Sequence, residues 1–293
     1  MDSIQLLPAS SIGERSNVPS PDEVMIIRNE LFSHSHADFR PLNEDEIAIL
    51  ISQGTTSDDW AQILVTAEFD PSLIKQSTLS GRVRIARMRA ATVERDGLRL
   101  PVGISHSRIV SCDIGDNVAI HDVRYLSHYV IGDRSILLGI DVMLTTPTAR
   151  FGTGVIMQGE PLTTRSWIEV INESGSRRIA PSPEMITADA YLWAKYRDDA
   201  PLQSKLIELT QHSCDSRRGQ FGTVGEQTLI KSCRSIRDVK IGAHAVIDSA
   251  NALQNLTILS SREEPTHIGE GAELTDGIVG FGSSVRYGAK RYG

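Results

Sequence analysis

A chain of 293 residues with 40% hydrophobic content has enough apolar material for one large domain or two ordinary ones, which excludes disorder as its main description. Its 37 acidic against 30 basic residues, a formal charge of −7, argue against a protein that coats nucleic acid or an anionic membrane, and no apolar run reaches membrane-spanning length. Three cysteines (Cys112, Cys214, Cys233) without C-x-x-C spacing indicate neither a disulfide framework nor a cysteine zinc site, and with no secretory leader they fit a reducing cytoplasm.

Residues 1–20, rich in Ser, Pro and Asn, read as a mobile arm. Pro21-Asp22-Glu23 opens a helix to about Phe32, and Asn43 caps a second with Ile47, Leu50 and Ile51 on one face and Gly54 ending it. A third starts at Ser57, with Asp58 and Asp59 in its first turn. Residues 21–70 thus read as a small helical cap. His34-Ser35-His36 between these helices alternates in a polar stretch without a third partner, so it reads as solvated loop and no metal site is expected.

Next comes a basic run, Arg82, Arg84, Arg87, Arg89, Arg95, Arg99 and Arg108, balanced locally only by Glu94 and Asp96. Alternation in Arg82-Val83-Arg84-Ile85 puts arginines on one strand face and aliphatics on the other, an outward cationic ridge. Guanidinium forks suit phosphate, which makes Arg82, Arg84, Arg87 and Arg89 candidate ligands for the phosphates of coenzyme A or a nucleotide sugar. A solvated face paired with acids elsewhere competes with that assignment, and the preference for arginine over lysine throughout the chain favours it.

From Ile114 onward a pentad recurs: Ile114-Gly115-Asp116-Asn117-Val118, Ile131-Gly132-Asp133-Arg134-Ser135, Val224-Gly225-Glu226-Gln227-Thr228, Ile241-Gly242-Ala243-His244-Ala245 and Ile268-Gly269-Glu270-Gly271-Ala272. Aliphatics follow at six-residue steps that reset after five, as in Ile114, Ile120, Leu126, then Ile131, Leu137, Met143. The second half repeats this with Val224, Ile230, Ile236, then Ile241, Ile247, Leu253, then Ile258, and finally Ile268, Leu274 and, after a miss at Gly280, Val285. Six is neither a helical nor a strand period; it fits a chain that turns a corner every six residues and points one aliphatic inward per side, three sides to a coil. Stacked coils make columns of Ile, Val and Leu, with Gly, Asn and Asp at the corners. Irregularly spaced β-sandwich strands are the competing fold.

Between the repeat blocks, Ser182-Pro183-Glu184 starts a helix carrying Met185, Ala188, Leu192 and Tyr196, and Ala200-Pro201 starts another with Leu202, Leu206 and Leu209. The pair packs on the flank or closes a substrate cleft. Phe151-Gly152-Thr153-Gly154 resembles part of a glycine-rich phosphate loop, but one short glycine pair is weak evidence for that and a corner explains it.

The pentads resemble the hexapeptide repeat of the left-handed β-helix superfamily, which holds acyltransferases, sugar-nucleotide enzymes and γ-class carbonic anhydrases. Arg40-Pro41-Leu42 through Gly54 and Trp60, the stretch Ile114 to Val130, the helical Tyr191-Leu192-Trp193-Ala194-Lys195-Tyr196-Arg197 and the tail Gly280-Phe281-Gly282 are similar to a group of long, uncharacterised bacterial proteins of that type. The resemblance implies the handedness and a histidine that projects from a coil as general base. His121 and His128 are the nearest candidates, with His106 and His244 weaker; an exposed histidine on such a surface is more often only that.

The expected fold is mainly β: a left-handed parallel β-helix with an N-terminal helical cap and a helical-hairpin insertion. Its parts are the arm 1–20, cap 21–70, first block 71–180, insertion 181–213 and second block 214–293. The expected activity is transfer to a sugar- or nucleotide-linked small molecule, with acyl-coenzyme A as donor and no covalent cofactor; a non-catalytic scaffold and an inactive portion of a longer enzyme are the alternatives. The sequence is still repeat-like at Val285-Arg286-Tyr287, and the similar bacterial proteins continue through further coils, so an incomplete stack that self-associates through its flank or open C-terminal edge is expected.

Overall fold

The protein is described by a computed structural model over residues 20–170 and 177–291; residues 1–19 of the expected arm lie outside the described residues. It is mainly β, with a large, curled, mostly parallel sheet of 15 strands, a second parallel sheet of 8 strands, and a few helices. No helix among the described residues is long and apolar enough to cross a membrane.

The six-residue spacing becomes three columns of buried aliphatics. One column runs Ile104, Ile120, Leu137, Ile230, Ile247, Ile268 and Val285 through the smaller sheet. Two more run through the larger sheet, Ile85, Ile114, Ile131, Val224, Ile241, Ile258 in one and Ile109, Leu126, Met143, Ile236, Leu253, Leu274 in the other. All but Val285 are buried, and almost all the rest of the main apolar cluster packs around them. Like residues sit beside like in direct register, so each aliphatic packs on the one before it in its column.

Two positions of the pentad have different physical requirements. A Cβ on Gly225 would come within 2.3 Å of the Ala243 nitrogen on the next turn, so the second position must be glycine for close stacking. The fourth position is left-handed, with φ of 51°, 54°, 53° and 60° at Asn117, Arg134, Gln227 and His244. Arg134, Gln227 and His244 tolerate this because each corner N–H donates to a carbonyl of the preceding turn, at 2.8 Å from Arg134 to Asp116 and 2.9 Å from His244 to Glu226.

Helix α1 (Pro21–Leu31) is closed by a capping box from Ser20 and Glu23, and α2 (Glu44–Ser52) by one from Asn43 and Glu46. Leu50 of α2 enters the main core, whereas Ile51 is exposed. The third expected helix is a 3-10 turn, Trp60–Gln62, whose first N–H groups are held by Asp59 before strand Ile63–Val65 begins. A hairpin of Thr92–Arg95 and Leu98–Pro101 forms a separate two-stranded sheet, from which Arg95 donates to the His244 carbonyl at 3.0 Å and Arg99 pairs with Glu94.

The stacked strands run to Leu144 and resume at Gly222, with Ile131 paired directly to Val224. The intervening excursion holds a hairpin (Ile168–Glu169 with Arg178–Ile179), α3 (Thr187–Lys195) and α4 (Ala200–His212), so it is longer than the expected 181–213. Helix α3 begins at Thr187 instead of Ser182: the Asp189 carboxylate accepts the Ile186 N–H at 3.0 Å at that start, while the Ser182 hydroxyl donates to Glu184 at 2.6 Å. The excursion has its own core of Ile179, Ala180 and Trp193, edged by Trp167, Met185, Leu206 and Ile207.

Candidate functional site

In the smaller sheet one register row reads Lys75, Ser105, His121 and Leu138 across four neighbouring parallel strands. His121, on strand Ala119–Val123, is 9% exposed because the end of the Leu98–Pro101 strand covers it. Its Nε2 is 2.9 Å from the Pro101 carbonyl oxygen, and its Nδ1 is 2.7 Å from Ser105 Oγ. A carbonyl only accepts, so Nε2 donates; in the neutral ring Nδ1 accepts the Ser105 hydroxyl proton. A base, the hydroxyl it can deprotonate and a group that fixes its tautomer are thus in line.

These residues form one wall of a cavity of about 1030 Å³ whose lining includes Leu73, Pro101, His106 and Asp122. Lys75 brings an exposed ammonium to the same wall. His106 sits at a left-handed corner, φ 49°, with its Nδ1 3.9 Å from Asp122.

His128 is elsewhere. It occupies a left-handed corner (φ 57°) between two strands of the larger sheet, buried against Phe221 at 5.3 Å between ring centres, with Nδ1 2.6 Å from Ser127 Oγ. His244 is likewise a buried corner residue.

Within the arginine segment, Arg84 lies on a strand of the larger sheet (Val83–Ile85) and Arg108 on another (Arg108–Val110). Arg84 does not project into solvent as the alternation suggests; it is 4% exposed and grips Asp113 with both prongs, Nε to Oδ1 at 2.7 Å and Nη2 to Oδ2 at 2.8 Å. Arg28 of α1 binds the same carboxylate, and the guanidiniums lie over Phe221 (Arg28, 4.9 Å) and Phe32 (Arg84, 5.0 Å). Burial pushes the Asp113 carboxyl up, but the two guanidiniums outweigh it and hold it below the ordinary aspartate value. Arg87 pairs with Asp116 and Arg89 with Glu68, while Arg82 donates to the Gln62 side chain at 3.2 Å. Nothing in the sequence marks Arg28 and Asp113 as partners, because they are 85 residues apart.

The excursion walls a second cavity of about 940 Å³ between α3 residues such as Thr187 and Ala190 and strand residues Asp276 and Ile278. Gly152 and Gly154 line it, so the expected glycine-rich segment faces a cavity. His34, expected in a solvated loop without partners, instead meets two carboxylates, Asp133 at 2.7 Å and Asp116 at 3.8 Å.

The family model described as "Domain of unknown function (DUF4954)" matches residues 39–291. An "Uncharacterized protein" of Treponema pallidum (strain Nichols) is 42% identical over 288 residues, which is 97% of this chain and 40% of that relative. The chain therefore spans about two fifths of the relative's length. No solved structure matches it.

Proposed function

Because the chain belongs to the DUF4954 family, whose description assigns no activity, we propose from its own geometry that it is a hexapeptide-repeat transferase acting on a small molecule in the His121 cavity. The finer fold in this reading is a left-handed parallel β-helix. Its supports are the pentads, the three aliphatic columns and the left-handed corners.

The observation that carries the activity is the line Pro101 carbonyl, His121, Ser105 hydroxyl on a cavity wall. An acceptor hydroxyl seated on Ser105 passes its proton through that hydroxyl to His121 Nδ1. Its oxygen attacks the thioester carbonyl of an acyl-coenzyme A, and the departing thiolate takes the proton back from the imidazolium. Lys75, in the same row, supplies positive charge for a phosphate on a nucleotide-linked acceptor. Of the four ridge arginines Arg82 remains the best placed for phosphate, since Arg84, Arg87 and Arg89 are engaged by carboxylates.

Thiol release from acyl-coenzyme A, measured with a panel of sugar and nucleotide-sugar acceptors, tests this reading. A positioned base contributes about 10²- to 10⁴-fold, so His121→Asn and Ser105→Ala should each lower turnover by at least that lower bound. Absence of thiol release from the unsubstituted protein, together with no calorimetric binding at millimolar ligand, overturns it. That outcome favours a non-catalytic binding scaffold, a reading supported by the hydrogen-bonded state of both His121 nitrogens and the neutralised ridge.

A further inference from the structure

We propose that His34, Asp116 and Asp133 form a binding site for a divalent transition-metal ion of the zinc class, fastening the turn after α1 to two successive turns of the stack. One ligand atom from each of the three lies within 4.8 Å of the others. They come from three separate segments: His34 from the turn following α1, and each Asp from the third position of an Ile-Gly-Asp pentad.

The spacing suits a metal. Ligands held at about 2.0–2.2 Å in a tetrahedral shell lie about 3.3–3.6 Å from one another. The His34 Nε2 distances, 2.7 Å to Asp133 Oδ1 and 3.8 Å to Asp116 Oδ1, bracket that range, so shifts well under 1 Å complete the shell. Nε2 now donates to Asp133, and binding exchanges this one hydrogen bond for metal–ligand bonds. Side-chain exposures of 24%, 14% and 27% leave the fourth place open to water.

The surrounding groups orient the ligands as outer partners do in metal sites. Asp116 Oδ1 accepts the Arg87 backbone N–H at 3.0 Å, and its Oδ2 pairs with the Arg87 guanidinium. Asp133 Oδ1 accepts the Asp116 N–H at 2.8 Å, and the Phe32 ring packs edge-on against His34 at 5.5 Å. Gly115 leaves the needed space, since a Cβ there would sit 2.4 Å from Asp133 Oδ1. The two carboxylates outnumber the nearby Arg87 guanidinium, which Glu68 also approaches at 3.7 Å, and one nitrogen with two oxygens is a donor set that favours zinc-like ions over magnesium.

The test uses the untagged full chain, freed of metal with a chelator and titrated with zinc by calorimetry, with cobalt absorption as a second readout. One zinc per chain should bind, with magnesium at least tenfold weaker. His34→Gln and Asp133→Asn should each lose at least tenfold in affinity and change the cobalt spectrum, while His36→Ala, outside the cluster, binds as the parent does. Circular dichroism establishes that each variant is folded; a variant that unfolds is replaced by Asp116→Asn. No saturable zinc binding up to 100 Kd-equivalents of a micromolar site, about 0.1 mM, or binding unchanged in folded His34→Gln, overturns the assignment.

Discussion

Replacing Asp113 by Asn keeps the shape of the side chain and removes the carboxylate shared by two buried guanidiniums, Arg28 and Arg84, which are 3% and 4% exposed. The native cluster carries one net positive charge; the variant carries two on side chains almost fully removed from solvent. Breaking a buried ion pair by removing one partner typically costs about 3–5 kcal/mol. At roughly 2–4 °C per kcal/mol for a chain of this size, the melting temperature should fall by roughly 6–20 °C. Arg28→Met should cost less, because Arg84 and Asp113 remain as a neutral bidentate pair while α1 loses its anchor. The carboxyl is depressed in the folded state, so its contribution is present above the unfolded value near 4 and is lost as pH falls through the lower folded value. Thermal melts of the three proteins from pH 7 to pH 3 should show that acid limb in the parent and its reduction in Asp113→Asn. An Asp113→Asn variant within 1 kcal/mol of the parent, or one less damaged than Arg28→Met, refutes this account of how α1 is held.

Ile241→Ala opens a hole in a column that neighbouring turns cannot close, and chemical denaturation should register a loss of about 2–5 kcal/mol. Gly115→Ala drives a methyl into Asp133 Oδ1 and the Ile131 carbonyl, 2.9 Å away, and should lower stability by about 1–3 kcal/mol; an unchanged melt contradicts the close approach. Burial pushes the Cys112 thiol up to about 12 and Cys233 up to about 11, whereas Cys214 is partly exposed, so a thiol reagent at pH 8 should label one equivalent rapidly in the native protein and three after unfolding.

The columns were legible because a six-residue spacing survives inspection of one strand at a time: each turn of the stack repeats the same local instruction. The helix start at Pro21 and the cap at Asn43 were legible for the same reason, because a helix start is written within a few residues; the Ser20 end of the first capping box, assigned to the arm, was not read. Arg84 was not. Strand alternation assumes one wet face, but α1 covers this one, and Asp113, which faces Arg84 in register, is 29 residues away. His34 and Asp133 are 99 residues apart, so only knowledge of which turn sits beside the cap could join them. His121 stood out by type, yet the hairpin that buries it and the Ser105 hydroxyl that faces it depend on strand register. A usable signal was present: in a stack with a 17-residue repeat, Ser105 lies 16 positions before His121, close enough to suggest the adjacent turn.

The jump from Ile131 to Val224 leaves the register of all three columns undisturbed, although it spans 93 positions where neighbouring turns need 17. Loop-closure entropy grows only with the logarithm of length, so the longer path adds about 1.5 kcal/mol. The last strands before the gap offer Val224 the same template they would offer a residue 17 positions on, and assembly can proceed across the junction as zippering proceeds past a bulge. The position after Leu144 is in that sense a port: sequence can be threaded out and back there, and acquire a fold and a cavity of its own, at little expense to the rows on either side.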